Sequence, residues 1–136
     1  MKTIVTFGVY DMLHIGHILL FKHAKEVVDA GTKLIVAVQS DDFVKKYKPA
    51  AKMVYTTEQR MFMVSAVRWV DGVVEYGDVD VDIKTIDFDI FVKGPDQCHE
   101  GFRRATDWCV AEGKEVLTLP RTEGISSTLL REYSKI

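Results

Sequence analysis

The sequence predicts an α/β protein, a three-layer sandwich in which helices cover both faces of a mainly parallel, five-stranded sheet. Three observations lead there. Short apolar runs alternate with helical patterns from end to end of the chain. Several of the apolar runs are nearly continuous, the pattern of a strand covered on both faces. Neither a repeat, a low-complexity tract nor a linker interrupts the series. The 136 residues suffice for one domain with a real core, spanning residues 1–136, and are too few for two.

The first strand is Thr3 to Phe7. A turn with two histidines follows, and then a helical pattern from Ile18 to Ala30. Leu20, Phe21, Ala24, Val27 and Val28 recur at helical spacing there, and Gly31 stands where helices end. Lys33 to Gln39 reads as a buried strand. Ser40-Asp41-Asp42 is a turn or cap. Phe43 to Tyr55 is lysine-rich, contains Pro49, and reads as a long functional loop. Thr56 with Gln59 forms a capping box that opens a helix to about Val70. Gly72 to Tyr76 is a short strand, and Val81 to Ile86 a short helix. Asp89 to Gly94 is a buried strand. Glu100 to Glu112 is helical and stops at Gly113. Glu115 to Pro120 is the last strand, and Ser126 to Tyr133 a closing helix.

Bulk properties exclude several classes. The balance of 47% apolar and 28% charged residues is that of a globular protein. A net charge of −2 argues against a nucleic-acid partner, because domains held by phosphate contacts are usually basic. No apolar stretch reaches the roughly 20 residues of a membrane span, and the N-terminus lacks a signal-peptide profile. Cys98 and Cys109 have no metal-type spacing and read as free thiols in a reducing cytoplasm.

The chemistry gathers at two places. His14-Ile15-Gly16-His17 sits at a strand-to-helix turn on the carboxyl side of the sheet, where ligands bind in such folds. A helix N-terminus offers free N–H groups to an anion, and Gly16 lets a ligand approach the backbone. Two imidazoles there can donate to phosphoryl oxygens as charge builds. The bland alternative is a pair of surface or capping histidines; a zinc site lacks further ligands nearby. The second place is Arg121-Thr122-Glu123-Gly124-Ile125-Ser126-Ser127-Thr128. It combines a guanidinium, hydroxyls and helix N–H groups. Lys45, Lys46, Lys48 and Lys52 follow a strand end and can close over a polyphosphate, or be a solvated charged loop. Arg60 and Arg68 are eight residues apart on the predicted second helix, about 80° of rotation, and so share one side of it. Asp96 lies just past a strand end, as a turn residue or a ligand contact.

His14-Ile15-Gly16-His17 resembles the His-x-Gly-His signature of the nucleotidyltransferases. Arg121 to Thr128 is similar to the Arg-Thr-Glu-Gly-Ile-Ser-[Ser/Thr]-Thr signature of their cytidylyltransferase branch, and the likeness to the glycerol-3-phosphate group extends along essentially the whole chain. The resemblance implies a Rossmann-like fold. It implies transfer of CMP from CTP to a small phosphate monoester by direct in-line attack, giving a CDP-linked product and pyrophosphate. It implies His14, His17, Lys46 and Arg121 as catalytic groups. Val9, Tyr10, Asp11, Gly16, Asp96, Thr122, Gly124, Ile125, Ser126 and Ser127 would bind the nucleotide, and Lys48, Arg60 and Arg68 the acceptor. Mg²⁺ would arrive on the CTP, and the protein would be a cytoplasmic homodimer. Where the glycerol-phosphate enzymes carry Asp-Asp-Trp, this chain has Pro95-Asp96-Gln97-Cys98. That leaves the acceptor open among polyol phosphates, amino-alcohol phosphates and capsule or teichoic-acid precursors. A non-catalytic nucleotide-binding module and an ATP-using adenylyltransferase are the alternatives.

Overall fold

A computed structural model describes residues 2–27 and 31–120 of the chain. In order, the elements are β1 (Thr3–Gly8), α1 (Ile15–Val27), β2 (Lys33–Gln39), α2 (Asp41–Tyr47), α3 (Thr57–Ser65) and β3 (Gly72–Tyr76). They continue with α4 (Val79–Asp82), a 3₁₀ turn (Ile83–Thr85), β4 (Ile90–Lys93), α5 (Glu100–Ala111) and β5 (Glu115–Thr118). The expected closing helix from Ser126 lies outside the described residues.

The strands form one five-stranded sheet in the order β3-β2-β1-β4-β5, and each neighbouring pair is parallel. This is the Rossmann-like α/β sandwich the sequence predicts. Side chains alternate between the faces. Val5, Phe7, Ala37, Tyr76 and Phe91 pack against Val79, Phe102, Ala105 and Cys109 of α4 and α5. Ile4, Leu34, Val36, Val38, Ile90 and Val92 pack on the other face, against Phe21 and Ala24 of α1 and Val64 of α3. Each fully buried aliphatic or aromatic side chain contributes about 1.5–3 kcal/mol. The two-sided burial explains why the strands read as continuous apolar runs.

One feature of the pairing positions the site. β1 runs beside β2 over its whole length, from Thr3↔Lys33 to Gly8↔Val38. Against β4 it pairs only at Ile4↔Ile90 and Val5↔Phe91. The two strands therefore part toward their carboxyl ends, where the strand order reverses. Open α/β sheets bind ligands in such a crevice.

Three boundaries differ from the sequence expectation. Phe43 to Tyr55 is not all loop, because α2 occupies its first part. Asp41 and Asp42 in the first turn and Lys45 and Lys46 in the last match the helix dipole, and Pro49 lies just beyond. Val44 is its buried residue, so no apolar periodicity marks it. The capping box of Thr56 and Gln59 is present, but α3 ends at Ser65 rather than near Val70. Val67 and Val70 instead bond three residues back, to Val64 and Val67, in a tightened turn. Helix α1 begins at Ile15, three residues before the predicted start, because His14 caps it.

Candidate active site

The histidine turn is organised by its own backbone. The N–H of Gly16 donates to Nδ1 of His14 at 3.0 Å, and the N–H of His14 donates to Nδ1 of His17 at 3.2 Å. A nitrogen that accepts an N–H bond carries no proton, so in each neutral ring the proton is on Nε2. The rings stack with centroids 3.8 Å apart, 19° from parallel. Burial, and then the neighbouring His14, push the pKa of His17 down to about 3. His17 is therefore a neutral donor at physiological pH. The arrangement offers a hydrogen-bond donor to developing negative charge and no general base for a nearby hydroxyl.

The turn is held in a strained backbone shape. Tyr10 and Met12 both adopt the left-handed region, at φ 55° and 62°, a conformation that persists only when its surroundings over-determine it. The Tyr10 ring lies edge-on to His17 at 5.2 Å and to Phe21 at 5.4 Å. Its burial raises the phenol pKa, an effect partly offset by the Thr6 hydroxyl. Tyr10 thus walls the back of His17. Asp11, between the two strained residues, is only 2% exposed. Its carboxylate accepts the N–H groups of Val54 and Tyr55 at 2.9 Å each. The predicted nucleotide contact of Asp11 is in this structure an anchor for the segment after α2.

The basic residues are distributed differently from the sequence expectation. Lys46 lies on a helix, its ammonium 5.2 Å from the ring centroids of both Phe43 and Tyr47. Lys48 closes α2, its N–H donating to Val44 O. It is exposed and lies within electrostatic range of His99. Arg60 is fully buried, against the expectation of an acceptor contact. Its Nη1 donates to the carbonyls of Val9 and Gln39 at 2.8 and 2.7 Å. Its Nη2 donates to Asp41 at 2.7 Å and to Thr57 Oγ1 at 3.3 Å, and its Nε to Tyr55 O at 3.2 Å. Guanidinium has five N–H donors, and each has an internal acceptor, so none is left for an incoming phosphate. At Asp41 burial alone would raise the pKa; the hydrogen bonds from Arg60 and Thr57 outweigh it and hold the carboxyl below its usual range.

Arg68 also departs from its expected place. It is exposed, beyond the end of α3, with its guanidinium over the Trp69 ring at 5.4 Å. Helix α3 starts beside Asp41 at the carboxyl edge of the sheet and runs back toward the start of β3. The chain after it meets the amino edge, where Asp71 accepts from Leu34 N and Lys25 Nζ. Within one chain Arg68 and the histidines are therefore at opposite edges. The shared helix side inferred from the sequence does not exist, because the helix stops three residues before Arg68.

Beyond β4, Asp96 is exposed, and its Oδ1 lies 3.2 Å from where a Cβ on Gly94 would be. The neighbouring Gln97 does what the sequence did not reveal. Its amide donates to Phe7 O at 2.6 Å and accepts from Gly94 N at 3.1 Å, bridging β1 and β4 where they part. His99 caps α5 by accepting the N–H of Gly101 at 3.2 Å, the same His-x-Gly geometry as at α1. Burial, and then Lys48 and Arg104, lower its pKa. Arg121, Thr122, Gly124, Ile125, Ser126 and Ser127 lie outside the described residues. Among the described residues no three His, Cys, Asp or Glu side chains are grouped to hold a metal.

Residues 5–133 match the cytidylyltransferase-like family. The chain belongs to that family. This cytidylyltransferase is 40% identical to glycerol-3-phosphate cytidylyltransferase of Staphylococcus aureus (strain NCTC 8325 / PS 47), over 97% of its own length and 94% of the relative's. It is 38% identical to the enzyme of the same name from Bacillus subtilis (strain 168), over 97% and 96%. The fold is similar to that of the lipopolysaccharide core biosynthesis protein from Thermoplasma volcanium GSS1, with a TM-score of 0.69 at 23% identity over 90% of this chain and 97% of the other. No described helix of this cytidylyltransferase is long and apolar enough to cross a membrane.

Proposed function

We propose that the cytidylyltransferase uses glycerol 3-phosphate, or a closely related small phosphate monoester, as the acceptor of CMP. The names of the two relatives above support the acceptor. The observation that carries the chemistry is the His14/His17 pair, in which both Nδ1 atoms accept backbone N–H groups and the neutral rings therefore carry the proton on Nε2. A phosphate oxygen of the acceptor attacks the α-phosphorus of CTP. The new P–O bond forms as the bond to the bridging oxygen breaks, and pyrophosphate leaves in line. The protein needs no covalent intermediate and no base, since the attacking phosphate is already anionic, and its task is positioning and charge stabilisation.

In this reading His14 and His17 donate to the α-phosphate, and Val9, Tyr10 and Gly16 shape the nucleotide pocket around them. Asp96 lies near the base or ribose, at the mouth of the crevice between β1 and β4. Lys46 and Lys48 meet the phosphates from α2 and its end. Arg121, Thr122, Gly124, Ile125, Ser126 and Ser127 hold the β- and γ-phosphates. Mg²⁺ comes in on the triphosphate, which supplies oxygen ligands of its own and needs no protein cage; bound there, it would neutralise charge on the departing pyrophosphate. The protein acts as a homodimer, a reading supported by the exposed apolar side chains of Phe62 (74% exposed) on α3 and Tyr55 just before it.

The deciding experiment measures pyrophosphate release with CTP or ATP against a panel of phosphate monoesters, with Mg²⁺. Turnover with CTP and glycerol 3-phosphate is expected to exceed every other combination. Preference for another monoester replaces the acceptor. CTP binding without turnover on any of them overturns the reading.

A further inference from the structure

Buried polar links join the histidine turn to the segment that follows α2. Tyr55 is held from both sides. Its N–H donates to the Asp11 carboxylate at 2.9 Å, and its carbonyl accepts from Nε of Arg60 at 3.2 Å. Arg60 in turn donates to Val9 O at 2.8 Å, two residues before Asp11. Val9, Tyr10 and Asp11 on one side, and Tyr55 and Arg60 on the other, thus close a ring of hydrogen bonds. Tyr10, the residue inside that ring, is one of the two described non-glycine residues in the left-handed region. Val54 adds a bond to Asp11 at 2.9 Å. Arg60 extends the ring to the end of β2 through Gln39 O and to the start of α2 through Asp41. Arg60 is completely buried and Asp11 nearly so.

From this geometry we infer that Asp11 and Arg60 are a paired latch. It fixes residues 48–56, and with them Lys48 and Lys52, in register with the His14–His17 turn. Both are positioning residues, and neither contacts the acceptor. The physical basis is that burial makes each link all-or-none. A buried charge deprived of its partners costs far more than an exposed one, so the turn and the lysine segment hold each other in one arrangement. The left-handed Tyr10 is then a consequence, since a strained residue survives where the surroundings leave no alternative. Arg60 and Asp11 lie 49 positions apart in the chain, yet serve the same short stretch of backbone. The kinetic consequence rests on the proposed reaction; the mechanical one does not.

Amide hydrogen exchange and steady-state kinetics on the whole chain test both, using Asp11→Asn and Arg60→Lys. Lysine keeps the charge but cannot make five directed hydrogen bonds, so Arg60→Lys addresses geometry alone and is the variant to rely on should Asp11→Asn not fold. Each variant is expected to lose at least about tenfold in the protection of Val54, Tyr55 and Thr56 amides, with β4, β5 and α5 retaining theirs. CTP turnover is expected to fall at least about tenfold in kcat, with the acceptor KM changed less than about threefold. Unchanged protection at 54–56, or a loss spread evenly over the sheet, overturns the latch. A rise in acceptor KM alone, with protection intact, would make Arg60 a substrate contact instead. The exchange arm uses no substrate. If the parent protein turns over none of the monoesters, the proposed function fails while exchange still decides the latch.

Discussion

The imidazoles of His14 and His17 stack 3.8 Å apart, and the backbone N–H of His14 is the donor to Nδ1 of His17. One histidine therefore sets the tautomer of the other through the main chain. Mutation of the first side chain leaves that bond possible, whereas mutation of the second removes both a donor and an acceptor.

Replacement of His17 by alanine is accordingly expected to cut kcat by about 10²-fold or more, the scale of losing one donor to developing charge. Circular dichroism should show the secondary structure retained. Turnover within about threefold of the parent would remove His17 from the chemistry.

The pH dependence of stability follows from the same ring. His17 titrates at about 3 when folded, mainly because it is buried, against 6.5 as a free histidine. Between those values the unfolded chain binds a proton that the folded chain does not. This contribution to stability is full above about pH 6.5 and is lost as pH falls through that window toward 3. The urea midpoint of His17→Gln is expected to fall less steeply than the parent's from about pH 7 to about pH 4.5. Parallel slopes would contradict the depressed pKa.

Gly8 leaves room for the wall behind His17. A Cβ there would stand 2.6 Å from Cζ of Tyr10, a contact that has to be relieved by moving the ring. Gly8→Ala is expected to destabilise by about 1–3 kcal/mol, measured by urea unfolding. It should also reduce kcat, because Tyr10 abuts His17. A variant as stable and as active as the parent would show that the ring has room to move.

The capping box is a local device and should behave as one. Thr56 Oγ1 accepts from Gln59 N at 3.2 Å, and Gln59 Oε1 from Thr56 N at 3.0 Å. Thr56→Ala is expected to cost about 1 kcal/mol in urea unfolding, with little change in KM. A loss near zero would mean that water caps α3 equally well.

The two thiols are expected to differ. Cys109 is buried, and that burial raises its pKa to about 11, while Cys98 is exposed. A thiol-specific dye should label Cys98 in the native protein and reach Cys109 only on unfolding. Native labelling of both at similar rates would contradict the packing of α5 against the sheet.

Much of the fold was legible because two-sided burial writes itself into composition. Leu34, Val36 and Val38 face one layer and Ala37 the other, so the run from Leu34 to Val38 is apolar throughout. The capping box was legible because its bonds span three residues. Helix α2 was not, since it buries only Val44 and leaves no apolar stripe. Arg60 and Arg68 looked alike as charged residues on one helix. One proved to be the centre of a buried network and the other an exposed residue at the far edge. Nothing local distinguishes them, because the acceptors of Arg60 come from Val9, Gln39 and Asp41 as well as from its own neighbourhood.

The sequence by itself determined the alternation of strands and helices apart from α2, the His-x-Gly-His turn at the carboxyl end of β1, and the family. These depend on periodicity, on turn chemistry and on residues a few positions apart. Only the tertiary structure decided that β1 and β4 part above Val5, that Gln97 spans the gap, and that Asp11 and Arg60 grip the same residue from opposite sides. Those relations join residues as many as 90 positions apart. A buried charge takes whichever partners the folded chain brings to it, and linear spacing carries no record of that choice.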